Sequence, residues 1–368
     1  LYHLDMPLAH PFKTSFGLEI RRQCILVSAH AAGLTGWGEC VALDRPSYSS
    51  ETIGTAWHIL KDFLIPLALE TSWNEIDDFL QPLAWVRGNP MARAGLQGAV
   101  WDLLAQSQQI SLSEKLSQPY SQKPCQKVPV GISVSIQPSI QATLTRIEKF
   151  LLEGFSRVKL KIKPGWDLEL LAAVRERFPK NDLMVDANSA YRMTDIELLR
   201  KLDDFDLVML EQPLAHDDIY EHASLPGMIK TPICLDESIH SPAQAKRAVE
   251  IGACRMINIK SGRVGGLWES RQIHDICMER EVPVWCGGML ETGIGRAANL
   301  ALASLPNFIL PTDTGPTARY WEEDIIEEQF YLNKEDSTIT VPNKPGLGVT
   351  PSIKKIKRYL IGKESFSS

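Results

Sequence analysis

Five residues of the 368-residue chain recur at nearly constant intervals: Lys161, Asp186, Glu211, Asp236 and Lys260 are separated by 25, 25, 25 and 24 residues. Three carboxylates with no His or Cys among them make a hard oxygen site, which suits Mg2+, with Mn2+ as a substitute. Without a cation, converging carboxylates repel one another and take up protons. A substrate carboxylate is the natural guest of such a metal, which stabilises extra negative charge on it as a Lewis acid. The lysines flank the carboxylates. An ordinary lysine, with a pKa of about 10.4, is too basic to act as a general base at neutral pH. Burial beside a divalent cation and a second ammonium lowers it toward a useful range. Lys159, on the same face as Lys161, adds to that effect. With the metal bound and both lysines protonated, the site keeps a net positive charge, so a small anionic carboxylate is the expected substrate. The implied reaction is removal of the proton α to that carboxylate, giving a metal-held enediolate.

Elements of a regular kind must position these groups. From about residue 126, β-rich runs alternate with helical patterns. The runs cover 128–136, 157–162, 183–188, 207–213, 233–238, 255–262, 282–288 and 308–311. The run "VKLKIK" alternates apolar residues with Lys159, Lys161 and Lys163, the period of a strand. Thr194 to Glu197 reads as a capping box opening a helix, and Ser241-Pro242 as an N-cap followed by Pro at the first helical position. Such alternation predicts a parallel sheet with right-handed crossovers, and eight strands favour a closed (β/α) barrel. In a barrel the C-terminal strand ends converge on one face, so the linear repeat becomes a ring. Each residue alone has a plainer reading: a turn former, a helix cap, or a solvated edge-strand lysine. Five such residues in one register are harder to explain that way. Lys163, beside Pro164, is expected to leave the barrel for solvent.

Composition narrows the partners. The chain is 44% hydrophobic and 23% charged with a formal net charge of −6, so no basic field points to nucleic acid or a membrane surface. No apolar run approaches the roughly 20 residues of a membrane span. The first residues lack a signal pattern, so export is not expected. Seven cysteines without a CxxC pair argue against a disulfide framework or zinc site and for a reducing cytoplasm.

These residues resemble a known family. The KxK pair on the second barrel strand, followed by Asp, Glu, Asp and Lys on the next four, is similar to the muconate-lactonising subgroup of the enolase superfamily, whose sites pair a lysine base with Mg2+. Within it, VGISVSI, VKLKIKPGWD, VDANSAY, LEQPL, LDES, NIKSGRVGGL, WCGGMLETGIGRAANLALASLPNF and PGLGV resemble the o-succinylbenzoate synthase and N-acylamino acid racemase family along essentially the whole chain. The resemblance implies a (β/α)7β-type TIM-like barrel over 125–320, an N-terminal α+β capping domain over 1–124, and a C-terminal segment, 321–368, packing back toward the cap. A homo-oligomer is expected. The loop from Phe12 to Gly17 is either a specificity lid, with Phe16 at the substrate, or a plain turn.

By the same resemblance, Asp186, Glu211 and Asp236 bind Mg2+, while Lys161 and Lys260 lie on opposite faces of the substrate. Lys159 is their electrostatic neighbour. Asn188, Glu237 and Arg263 support the ring, although Arg263 has the simpler reading of an ion pair. Ser133, Gly288, Met289, Glu291 and Ile294 shape the substrate pocket. Two reactions share the enediolate: syn dehydration of 2-succinyl-6-hydroxy-2,4-cyclohexadiene-1-carboxylate in menaquinone biosynthesis, and racemisation of an N-acylamino acid. Dehydration is the preferred expectation. A non-catalytic relative would have little reason to keep all five reactive groups in register.

Overall fold

A computed structural model of the protein describes residues 1–13 and 17–367. Strands β1 (Tyr2–Lys13), β2 (Leu18–Ala31) and β3 (Leu34–Cys40) pair antiparallel in sequence order. The helix Pro90–Ser107 packs across this sheet with unusually close backbones. A Cβ on Gly36 or Gly38 would lie 2.1 or 2.0 Å from the carbonyl oxygens of Ala99 and Gly95, so only glycine permits that approach. Within the helix, Asp102 accepts the Trp37 N–H and the Leu347 N–H, both at 2.8 Å, and so ties the chain's late segment to its early sheet.

Beyond residue 126 comes β4 (Lys127–Pro129), then seven parallel strands: β5 (Ile132–Val134), β6 (Arg157–Lys161), β7 (Asp182–Asp186), β8 (Met209–Glu211), β9 (Ile233–Leu235), β10 (Met256–Ile259) and β11 (Val284–Cys286). They form one curled sheet in sequence order. Strand β12 (Thr338–Thr340) pairs with β4, and β13 (Leu360–Lys363) pairs with β1 as the outer strand of the N-terminal sheet. Helices occupy the crossovers. Ser241 caps the helix Pro242–Glu250 through the Gln244 N–H, and Gly252 (φ +71°) follows its end. Among the described residues no helix is long and apolar enough to cross a membrane.

Several boundaries differ from the sequence reading, for local reasons. The run 128–136 splits into β4 and β5 around Gly131, where the Arg157 guanidinium lies against the backbone; a Cβ there would meet it at 2.1 Å. The run 308–311 forms no regular strand, because Pro311 has no N–H to donate. It still closes the barrel through single parallel bridges, Val284 to Phe308 and Val130 to Thr312. Met193–Asp195 is a 3-10 turn, and the helix proper runs Ile196–Lys201. Asp195, accepting the Arg192 N–H at 2.9 Å, holds its start in place of the expected Thr194–Glu197 box.

Candidate active site

The C-terminal strand ends carry the expected side chains into one region. Lys161 pairs with Asp186 across β6 and β7, and Asp186 with Glu211 across β7 and β8, so these three are level. Glu211 pairs with Cys234, which puts Asp236 two positions further along its strand direction. Equal sequence intervals therefore do not give equal heights, because barrel strands are staggered. Tight turns follow the strands. Asn188, Ser189 and Gln212 have φ of 43°, 63° and 39°, left-handed backbone that non-glycine residues adopt mainly where surroundings enforce it.

Beneath the ring lies an apolar floor of Met184, Met209, Cys234 and Trp285. Lys159 sits on this floor, 4.6 Å from the Trp285 ring centroid. Its Nζ donates to Glu211 at 2.9 Å and lies 2.7 Å from Asp313 and 3.5 Å from Asp186. One layer up, Lys161 Nζ donates to Asp186 Oδ2 at 2.6 Å and Asn188 Oδ1 at 2.8 Å. Lys260 Nζ donates to Asp236 Oδ2 at 2.7 Å, with the Tyr48 hydroxyl 3.4 Å away. Arg263 donates to the other Asp236 oxygen and to the Ile239 carbonyl, the ion pair that its simpler reading anticipates. Asn188 Nδ2 donates to Glu237 at 2.9 Å, and Asn258 Nδ2 to Glu211 at 2.6 Å.

Each charge responds to these partners. Burial pulls Lys159 down, but Asp313, Glu211 and Asp186 outweigh it and hold the ammonium above its ordinary range. Lys260 is likewise raised against burial by Tyr48, Glu237, Glu211 and Asp186. The lowering expected of a ring lysine presupposes a bound divalent cation, which would offset these carboxylates. Burial raises Asp186, yet Lys161 and Lys159 prevail and bring it well below the usual carboxylate range. Glu211 and Glu237 are raised, first by burial and then by the charge of Asp186.

A cavity of about 130 Å³ opens above the ring. Lys159, Lys161, Lys260, Asn188, Ser133, Gly288 and Met289 all line it. Ser133 presents a buried hydroxyl without a hydrogen-bond partner. Glu291 and Ile294 are not in the lining. Glu291 turns back into its own loop, where it accepts the Met289 N–H at 2.9 Å. Ile294 lies 1% exposed in the first turn of the helix Gly293–Ala303, beside a smaller cavity behind the loop. Phe16 falls among residues 14–16, outside the described residues, whereas Phe12 does line the cavity. Lys163 is exposed, as its position beside Pro164 suggests.

Tyr48, Asp313, Arg319 and Tyr320 also line the cavity and escaped the sequence reading. Asp313 is the most legible of these, since it lies two residues after the eighth run. Burial raises its pKa, but Lys159 and Arg157 hold it down at about 2. Tyr48 lies in an aperiodic polar stretch and reaches the ring only through the fold.

The fit of a divalent cation can be judged from the donors. They are oxygens throughout, and Glu237 Oε2 and Asn258 Oδ1 are buried without hydrogen-bond partners beside them. Among the described residues no three His, Cys, Asp or Glu side chains converge to hold a cation, since lysine, arginine or asparagine already engages each ring carboxylate. The donor chemistry fits a hard cation, with the lysines as its competitors.

Known proteins share this architecture. Residues 142–355 match the enolase C-terminal domain-like family, and residues 2–116 match the mandelate racemase / muconate lactonizing enzyme N-terminal domain. An o-succinylbenzoate synthase from Geobacillus kaustophilus is 47% identical over 360 residues, covering 98% of this chain and 94% of the relative. An N-succinylamino acid racemase from an Amycolatopsis species is 45% identical over 352 residues, covering 95% and 94%. The crystal structure of an enolase-superfamily member from Listeria innocua superposes with a TM-score of 0.93 at 39% identity, over 99% of this chain and 96% of that one. Proteins of this family are generally metal-dependent. The chain belongs to the mandelate racemase / muconate lactonizing enzyme family of the enolase superfamily.

Proposed function

We propose that the protein is an o-succinylbenzoate synthase that converts 2-succinyl-6-hydroxy-2,4-cyclohexadiene-1-carboxylate to 2-succinylbenzoate and water. The observation that carries this reading is the presence of Lys161 and Lys260, from separate strands, in the lining of one cavity above a carboxylate ring. The near full-length synthase relatives support it.

In this reading Asp186, Glu211 and Asp236 hold Mg2+. The metal would offset the carboxylate charge around the lysines and stabilise negative charge on the substrate carboxylate. The chain's own groups do the proton work. Lys161, as the neutral amine, removes the α proton and passes it to the hydroxyl leaving from the same face. Lys260 remains an ammonium that stabilises the developing enediolate. Lys159, fixed between Glu211 and Asp313, contributes charge without reaching the proton. Ser133 offers its unpartnered hydroxyl to the succinyl carbonyl.

Racemisation of N-succinylamino acids is the second reaction of the same site, supported by the racemase relatives at 45% and 42% identity. There Lys161 and Lys260 exchange base and acid roles across the substrate. We place the synthase reaction in menaquinone biosynthesis and in a reducing cytoplasm, where seven free thiols persist. Purified protein with Mg2+ should form 2-succinylbenzoate, and chelation with EDTA should stop it until Mg2+ is restored. Turnover that survives complete chelation would remove the metal from the account.

A further inference from the structure

The wall of the cavity contains a strained residue. Leu290, which lines the pocket, has φ of +60°. A branched, bulky side chain rarely adopts that conformation, so its surroundings must enforce it. Two hydrogen bonds from within the barrel and the C-terminal segment bracket it: Met289 N–H to Glu291 at 2.9 Å, and Trp321 Nε1 to the Glu291 carbonyl at 3.0 Å. Asp324 of the C-terminal segment accepts the Gly293 N–H at 2.9 Å, and further restraints come from the N-terminal sheet. Arg22 on β2, 3% exposed, donates through Nε to the Met289 carbonyl at 3.3 Å and through its other nitrogens to the Val41 and Ala42 carbonyls. Glu39 on β3, 9% exposed, accepts the Thr292 N–H at 3.0 Å, the Thr292 hydroxyl at 2.6 Å and the Gly295 N–H at 2.9 Å.

We infer that Arg22 and Glu39 form a clamp that holds the Leu290 wall in its strained shape, making them positioning residues for substrate selection. Neither residue lines the cavity, so their influence must pass through the loop. The N-terminal sheet would thus shape the pocket from behind, through the loop that follows β11, in addition to covering the barrel mouth. The inference deepens the proposed function and rests on it for the identity of the substrate.

The test uses Glu39→Gln, which keeps shape but removes the carboxylate charge and leaves one oxygen for the three donors, and Arg22→Lys, which keeps charge but loses the fork. Amide exchange at Thr292 and Gly295 should accelerate at least about ten-fold in Glu39→Gln. The KM of the cyclohexadiene carboxylate should rise by about ten-fold while kcat changes far less. The ratio of dehydration to racemisation should shift as well. Arg22→Lys should give a smaller rise. In a Leu290→Gly background, where φ of +60° carries no strain, Glu39→Gln should lose most of its effect on KM. A fall in Tm with KM and the reaction ratio unchanged would overturn the inference, as would an equal effect in both backgrounds. If the wild type turns over neither substrate while exchange still responds to Glu39→Gln, the proposed function fails and the clamp stands.

Discussion

Two sets of buried carboxylates occupy this molecule, and their partners differ in kind. Asp186 and Asp236 in the barrel ring are met by ammonium or guanidinium groups. Glu39 and Glu51, on the N-terminal side, are met by backbone N–H groups and a threonine hydroxyl; Glu51 accepts the Met91 and Ala92 N–H groups at the start of the Pro90–Ser107 helix, both at 2.8 Å. Burial raises Asp186, Glu39 and Glu51. Opposite charges reverse that for Asp186, whereas hydrogen bonds from neutral donors leave Glu39 and Glu51 at about 7. Burial alone therefore does not identify a reactive carboxylate. The ring sets carboxylates against cationic side chains; the other set fastens backbone.

That contrast orders the expected effects of breaking each set. Lys161→Ala should cost at least about a thousand-fold in both dehydration and racemisation with the fold intact by circular dichroism. Turnover near the wild-type rate would remove Lys161 as the base. Lys260→Arg keeps the charge but not the proton exchange, so racemisation should fall by about a hundred-fold and dehydration by about ten-fold. Equal losses would contradict the separate roles of the two lysines.

Glu51→Gln should leave chemistry alone and change the pH dependence of stability. Because the folded pKa of about 7 lies above the ordinary 4.5, the folded chain holds more protons than the unfolded chain between those values. Glu51's contribution is thus present below about 4.5 and lost as pH rises through 7, by up to about 3 kcal/mol. Denaturant titrations of Glu51→Gln from pH 5 to 8 should show a flatter profile than wild type. An unchanged slope would mean that Glu51 is ionised throughout.

The ring was legible in the sequence because one βα unit per strand imposes a nearly fixed period, which marks Lys161, Asp186, Glu211, Asp236 and Lys260 without any knowledge of loops. What the period could not carry was height: Asp236 rises above Glu211 because of strand stagger. Strand ends were overextended at 207–213 and 282–288, since single backbone bonds continue past each regular strand before Pro213 and the Gly287-Gly288 turn. Tyr48 and Arg319 stayed hidden because their stretches have no periodicity and reach the cavity only when the chain's two ends fold onto the barrel. Glu291 and Ile294 were assigned to the pocket by family resemblance, but the turn after Met289 sends them behind the wall.

The central claim is that one cavity removes one α proton for two outcomes. Its most direct test follows a single Mg2+-loaded preparation in D2O, reading loss of water from the cyclohexadiene carboxylate and α-deuteration of an N-succinylamino acid. Both reactions should occur, each should inhibit the other competitively, and Lys161→Ala should abolish dehydration together with α-deuteration of the one N-succinylamino acid enantiomer whose proton faces Lys161. Loss of dehydration with α-deuteration of both enantiomers intact would contradict a single shared base.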